Sequence, residues 1–233
     1  QCYQYITAKG ESSDFYMDAV ILEVIAQSEQ TLGSVYTKSD LENLDQKFQL
    51  LLLEVGENVT TSYLMKEYAS LNAFYLNDLE KAKTILEKCI DINSENELYA
   101  ECKLMLADIK LIEGQDWESI LLYSQVEKAF KENLMGHEAK LRRAKVSYYQ
   151  GQFDWAQAQL DVLKASTSKL ISNNAMKLSL FITDNLGLDT SAAAMQMYAR
   201  AELLIYQKKY DESIATLDSL LTVFSGHTLS DDV

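Results

Sequence analysis

The chain of 233 residues contains no proline and only eight glycines and two histidines. Proline breaks helices and punctuates turns, so its absence leaves an almost wholly helical chain open. Cysteine is scarce and odd in number: Cys2, Cys89 and Cys102. Three cysteines without close spacing make neither a disulfide framework nor a zinc site. Cys89 and Cys102 fall on successive predicted helices and can approach each other, where small buried thiols fill packing positions. No apolar run exceeds the short stretch at Leu50 to Leu53, far below a membrane span. Basic residues are outnumbered, giving a net charge of −14. Such a chain repels phosphate backbones and anionic lipid surfaces, so nucleic-acid partners and membrane insertion are not expected.

A recurring five-residue phrase is present. It reads Asp40-Leu41-Glu42-Asn43-Leu44, then Asp78-Leu79-Glu80-Lys81-Ala82, then Asp116-Trp117-Glu118-Ser119-Ile120. Looser copies are Gln152-Phe153-Asp154-Trp155-Ala156 and Lys209-Tyr210-Asp211-Glu212-Ser213. The first three copies stand 38 residues apart (40, 78, 116) and the fourth follows after 36 (152). Repetition on this scale marks a stacked array of helix pairs rather than one globular core. Apolar residues three and four apart predict helices over about 14–31, 38–55, 60–76, 79–92, 96–113, 117–131, 137–150, 153–166, 169–186, 191–207 and 210–224. Glycine and polar clusters mark the loops, Asn133 to Gly136 among them, and Ser94 with Glu97 has the spacing of a capping box. Ala82, Ile120 and Ala156 are the residues expected at helix crossings. The interval from 152 to 209 is too long for one unit and leaves room for one extra helix at Leu170 to Leu186.

The segment from Ala69 to Ala82, with Phe74, Tyr75, Asp78 and Leu79, resembles a tetratricopeptide repeat. The same grammar runs from Ala144 to Ala156 and from Ala199 to Ser213. The early tryptophan of that family is missing, and Ser94, Ser168 and Ser225 stand where it places a loop proline. The resemblance implies an all-α fold: a right-handed α-solenoid of antiparallel helix pairs, here with one inserted helix. The expected divisions are a degenerate helical unit at 1–37, repeats at 38–168, the inserted helix at 169–190, and a last repeat with the start of a further unit at 191–233. Leu122 to Met176 is also similar to stretches of long bacterial tetratricopeptide proteins of the cell envelope. That likeness implies a longer parent and an envelope or periplasmic setting.

No nucleophile elbow, phosphate-binding glycine loop, zinc-protease motif or calcium loop is present. His137 and His227 each follow a glycine at a repeat junction and read as turn or cap residues. No catalytic, cofactor-binding or metal-ligating residue is therefore expected. The resemblance implies a concave groove lined by first helices, and its positions carry over to Phe74, Tyr75, Met105, Lys145, Tyr148, Tyr149, Tyr198 and Tyr206. Tyrosine and methionine suit recognition surfaces. Lys140, Arg142, Arg143 and Lys145 form a basic cluster that can orient an acidic group, or pair with neighbours such as Glu138. The expected function is non-catalytic binding of a peptide or protein partner, with homo-oligomerisation open. The alternatives are a structural spacer of a longer repeat protein, and a helical ligand-binding or enzymatic domain.

Overall fold

The computed structural model describes residues 2–8, 15–94, 96–131, 133–186, 192–225 and 228–231. Among these, twelve α-helices and no strand are found. The chain divides into two compact units, residues 1–106 and 107–233, with the division inside the sixth helix.

In the first unit α1 (Cys2–Thr7) packs on α2 (Tyr16–Leu32), α2 on α3 (Lys38–Val55), α3 on α4 (Ser62–Ser70) and α4 on α5 (Leu79–Ile92). The opening part of α6 (Glu97–Ile112) completes it. α3 begins with a reciprocal capping box: Thr37 Oγ1 accepts from Asp40 N, and Asp40 Oδ2 accepts from Thr37 N at 2.7 Å. α6 is capped by Asn96, whose Oδ1 accepts from Tyr99 N at 2.9 Å. The box predicted from Ser94 and Glu97 gives way to this nearer side chain.

The second unit holds the end of α6, then α7 (Asp116–Ala129), α8 (Leu134–Tyr149), α9 (Phe153–Leu163), α10 (Lys169–Leu186), α11 (Ala193–Tyr206) and α12 (Tyr210–Val223). α7 packs on α8, α8 on α9 and α9 on α10, while α11 pairs with α12 and also lies against α8. The core gathers Tyr148, Phe153, Leu160, Ile171, Ile182, Met195 and Leu220. Leu229, in a short 3₁₀ turn near the end, is buried in the same cluster.

Four turns between paired helices share one geometry. Each places a left-handed residue directly before the N-cap of the next helix: Asn77 before Asp78, Gly114 before Gln115, Gly151 before Gln152, and Lys208 before Lys209. In the last three, the left-handed residue's N–H reaches the carbonyl three back and the next N–H reaches the carbonyl five back. This is the Schellman pattern, which satisfies the free carbonyls of a helix end.

These turns correct the sequence register. Aligned on the turn, the N-caps are 78, 115, 152 and 209, so the beat is 37 residues twice and then 57. Four residues after each N-cap stand Ala82, Ser119, Ala156 and Ser213, all buried. Ile120, expected in that role, is only half-buried because the phrase containing Asp116 was counted one residue too late. The phrase at Asp40 is not a copy at all: Asp40 is the third helical residue of a capping box. Eight residues before the N-caps at 115, 152 and 209 stand Ala107, Ala144 and Ala201, also buried. In the last pair Ser213 Oγ donates to Ala201 O at 3.0 Å. Small residues on both partners let paired helices approach closely. In the first unit the equivalent Ala69 stands nine residues before Asp78. The extra residue is absorbed by a π-helical turn, Leu71–Leu76, where Asp78 N reaches back to Asn72 O at 2.8 Å.

Gly136 was expected in a loop but lies in the first turn of α8, which is capped by Asn133. A Cβ there would sit 2.1 Å from the Phe130 carbonyl oxygen, so only glycine fits against the end of α7.

Candidate functional site

The second unit carries three polar stripes at helical spacing. On α8, Glu138, Arg142, Lys145 and Tyr149 recur four and three residues apart and share one face. On α10 the stripe is Asn174, Lys177 and Phe181, and on α11 it is Tyr198, Glu202 and Tyr206. These stripes, with Asp108 of α6 and Tyr123 of α7, line two recesses. One, of 240 Å³, lies among Asp108, Tyr123, Glu138, Arg142, Tyr149 and Tyr206. The other, of 460 Å³, lies among Lys177, Leu178, Phe181, Tyr198 and Glu202. Lys145 and Asn174 line both, so the two recesses adjoin.

The floor of the smaller recess is a half-buried ionic knot. Asp108 sits in α6 between the buried Ala107 and Ile109. Tyr123 donates its hydroxyl to Asp108 Oδ1 at 2.6 Å, and Arg142 Nη1 binds Asp108 Oδ2. Arg142 Nε donates to Glu138 Oε1 at 2.9 Å, so the guanidinium bridges two carboxylates. Tyr206 also bonds the Asp108 carboxylate. Burial pushes the Asp108 carboxyl above the usual carboxylate range, although Arg142 opposes the shift. The Tyr123 and Tyr206 phenols are raised by burial and by the Asp108 charge.

A second knot lies on the α11 side. Tyr148 donates to Glu202 Oε2 at 2.5 Å. Burial raises the Glu202 carboxyl, against the Tyr148 hydrogen bond and the charge of Lys145. The Tyr149 phenol is pushed up to about 12 by burial and then by Glu202 and Asp108. A run of rings joins the knots: Tyr206 to Tyr149 at 6.3 Å, Tyr149 to Tyr148 at 5.6 Å, Tyr148 to Phe181 at 6.4 Å and Phe181 to Tyr198 at 5.4 Å. The inserted helix therefore does not separate α8 from α11; it contributes Phe181 to their contact.

The expected groove positions and the basic cluster are distributed as follows. Arg142, Lys145, Tyr149, Tyr198 and Tyr206 come together around the two recesses. Tyr148 is only 1% exposed and belongs to the core, so it is not an open contact residue. Arg143 lines a different recess, with Trp117 and Trp155, and is held by Gln159 Oε1 at 2.8 Å and Glu127 at 3.0 Å. Lys140 also pairs with Glu127, at 3.4 Å. Of the basic cluster, Lys145 alone is exposed, and among the described residues no carboxylate lies within ion-pair distance of it. Phe74, Tyr75 and Met105 belong to the first unit. Phe74 and Tyr75 are exposed on the π-helical turn, with Tyr75 edge-on to Tyr36 at 6.0 Å, and Met105 is half-buried.

Sequence reasoning missed Asp108, Asn174, Lys177 and Phe181. Asp108 had a signal: it is a lone acid within the apolar run Leu104-Met105-Leu106-Ala107-Asp108-Ile109. The α10 residues had none, because the inserted helix lies outside the repeats from which groove positions carry over.

The first unit has a larger, more apolar recess of 540 Å³, lined by Leu52, Leu53, Tyr68 and Ile85. Its cations are already paired, Lys81 with Asp45 and Lys88 with Glu57, both at 2.7 Å. Among the described residues no group of three potential metal ligands is found. His137 Nδ1 lies 3.0 Å from Ser166 Oγ, between the start of α8 and the loop after α9, while His227 lies outside the described residues. Comparison of the chain with protein-family models, curated proteins and solved structures finds no match.

Proposed function

We propose that the chain is a non-catalytic interaction scaffold of tetratricopeptide type. The paired recesses of the second unit receive a segment of a peptide or protein partner. The repeated Schellman turns and the small residues at each helix crossing support the repeat type, and right-handed stacking belongs to that reading. One observation carries the binding role: the recesses are framed by side chains from helices far apart in sequence, held from below by buried hydrogen bonds. Lys145, Asn174 and Lys177 are exposed at their rim. A frame fixed in advance loses little entropy on binding. Tyr149, Tyr198 and Tyr206 supply large contact area with few rotors, and Lys145 supplies charge for an acidic group on the partner.

The test is a random peptide library selected against the whole chain. Peptides that use the recesses lose at least about tenfold in affinity on Tyr198→Ala or Lys145→Glu, as expected of anchor residues. The same peptides bind the Asp154→Asn variant, altered on the exposed face of α9, as they bind the parent. Selected peptides that bind all three variants equally would remove the recesses from the reading.

A further inference from the structure

We propose that Cys89 and Cys102 are a modification site: in the folded first unit they are oxidised to a disulfide that staples α5 to α6. Both thiols are fully buried, and their sulfur atoms lie 3.2 Å apart. The pair is positioned, not merely adjacent. Cys102 donates its S–H to Cys89 Sγ, and Cys89 donates to the Ser62 carbonyl at 3.5 Å. Asn93 closes the cluster, with Nδ2 donating to Cys89 O at 2.7 Å and to Ser62 Oγ at 2.8 Å. A disulfide needs its sulfurs at about 2.05 Å, so the required approach is little more than an ångström. Among the described residues no third ligand accompanies the pair, which sets it apart from a metal site. Cys2, by contrast, is exposed and far from both in sequence.

The cluster also assigns the order of events. The hydrogen bond from Cys102 and the positive charge of Lys66 favour the Cys89 thiolate, while the neighbouring sulfur and burial hold the Cys102 proton in place. With hydrogen peroxide as oxidant, the Cys89 thiolate attacks one oxygen and the O–O bond breaks. Hydroxide leaves and takes up the proton that Cys89 released, forming water and a sulfenic acid. The Cys102 sulfur then attacks Cys89 Sγ. The S–O bond breaks, and the departing hydroxide takes the Cys102 proton as a second water. Two thiols lose two electrons and two protons, and one peroxide becomes two waters.

The experiment uses the full chain carrying Cys2→Ser, which removes the exposed thiol. After peroxide, the protein is unfolded in guanidinium with N-ethylmaleimide and its mass is measured. The expected result is loss of two hydrogens, no maleimide adduct, and a linked peptide pair containing Cys89 and Cys102. Closing a loop of this length also raises Tm by roughly 5–10 °C, and dithiothreitol reverses the rise. Two maleimide adducts after peroxide would overturn the proposal, as would Cys89 driven to sulfinic acid with Cys102 still free. In a second variant, Cys102→Ser, the reaction stops at the Cys89 sulfenic acid, which dimedone captures. A folded Cys102→Ser protein that yields no dimedone adduct on Cys89 would overturn the assignment of Cys89 as the attacking thiol.

Discussion

The two units arrange their polar groups differently. The first buries a neutral cluster, Cys89, Cys102, Ser62 and Asn93, whose members satisfy one another through short-range hydrogen bonds. Its charges form separate half-buried sets, such as Lys66 with Glu67 at 3.1 Å and Glu101 at 2.7 Å, and Asp45 with Lys81 and the Tyr68 hydroxyl, each at 2.7 Å. The second gathers half-buried charge into knots shared by more helices, with Asp108 and Glu202 under tyrosine hydroxyls and Asp108 against Arg142. A neutral cluster can be closed over completely. A half-buried ionic knot carries a desolvation penalty that only several partners offset, so it draws in side chains from many helices. Those long side chains leave recesses where they meet. The binding site proposed for the second unit is a consequence of how that unit solves its burial problem.

The sharpest way to break this contrast is Arg142→Met. It leaves the half-buried Asp108 without its counter-charge and is expected to cost about 1–3 kcal/mol. Hydrogen exchange should quicken in α7 and α8 and stay near the parent's rate in α5. The pH dependence has a definite sign. With burial unopposed, the folded Asp108 holds its proton well above the unfolded carboxyl, which titrates near about 3.9. Between those values the folded state binds the extra proton, so stability falls as pH rises through that window. The deficit of Arg142→Met should therefore shrink as pH is lowered toward 4, and adding Asp108→Asn should restore part of the loss at neutral pH. A variant melting like the parent at every pH would show that the knot is not under strain.

Alkaline titration tests the tyrosine cluster of the second unit next. Tyr123, Tyr148, Tyr149 and Tyr206 all have raised phenols in the second unit. Unfolded tyrosine ionises near about 10. Above that pH the folded state retains protons that the unfolded state has lost, so stability falls as pH rises further. Tyrosinate absorbance should rise in two stages: exposed phenols first, then a cooperative step that coincides with loss of helicity in α8 and α11. Smooth ionisation of all fourteen tyrosines with helicity intact would contradict the burial of this cluster.

Glycine substitutions compare the frames of the units. Gly136→Ala in the second unit drives a Cβ into backbone that no side-chain rotation can move, at 2.1 Å from the Phe130 oxygen. The expected cost is about 1–3 kcal/mol or more. Gly33→Ala in the first unit meets its nearest atom, the Glu29 oxygen, at 3.0 Å with ordinary right-handed backbone. Its effect should be smaller, within about 1 kcal/mol, since alanine is also the better helix former. Chemical denaturation of both variants ranks them directly.

Helix positions were legible because periodicity and caps are local properties, and the ends differ from prediction by only a few residues, apart from α1 (Cys2–Thr7), which lies outside every predicted helix. The repeat was legible too, but its register was not. Asp116 mimics Asp78 in sequence, while the property held in common is the left-handed residue one place before the N-cap. That role is filled by Asn77, Gly114, Gly151 and Lys208, four positions with three residue types. The π-helical turn was invisible because nothing in Leu71 to Leu76 forbids an ordinary helix. Half of the site was legible, since Arg142, Lys145 and Tyr149 recur at helical spacing. Tyr148 was misplaced because adjacent tyrosines look alike in sequence, while consecutive helical residues point about 100° apart. The centre of the knot, Asp108, is set by packing between helices, which a single chain of letters does not record.

The smallest expected effect concerns those same turns. A left-handed conformation costs a residue with a Cβ about 1 kcal/mol, and asparagine tolerates it better than most. Lys208 adopts φ 59° in the second unit, and Asn77 adopts φ 57° in the first. Glycine removes the steric cost at either site but loosens the unfolded chain, which offsets part of the gain. Lys208→Gly should therefore stabilise by about 0.5 kcal/mol, and Asn77→Gly by less, because asparagine starts from the lower cost. The π-helical turn adds a second reason for the difference: the N–H bonds after Asn77 already reach to a widened partner, Asn72 O, and gain little from relaxation. Urea midpoints of the two variants, measured against the parent at the same pH, decide the order. Stabilisation by Asn77→Gly exceeding that by Lys208→Gly would mean that the first unit, not the second, holds its turn under the greater steric load.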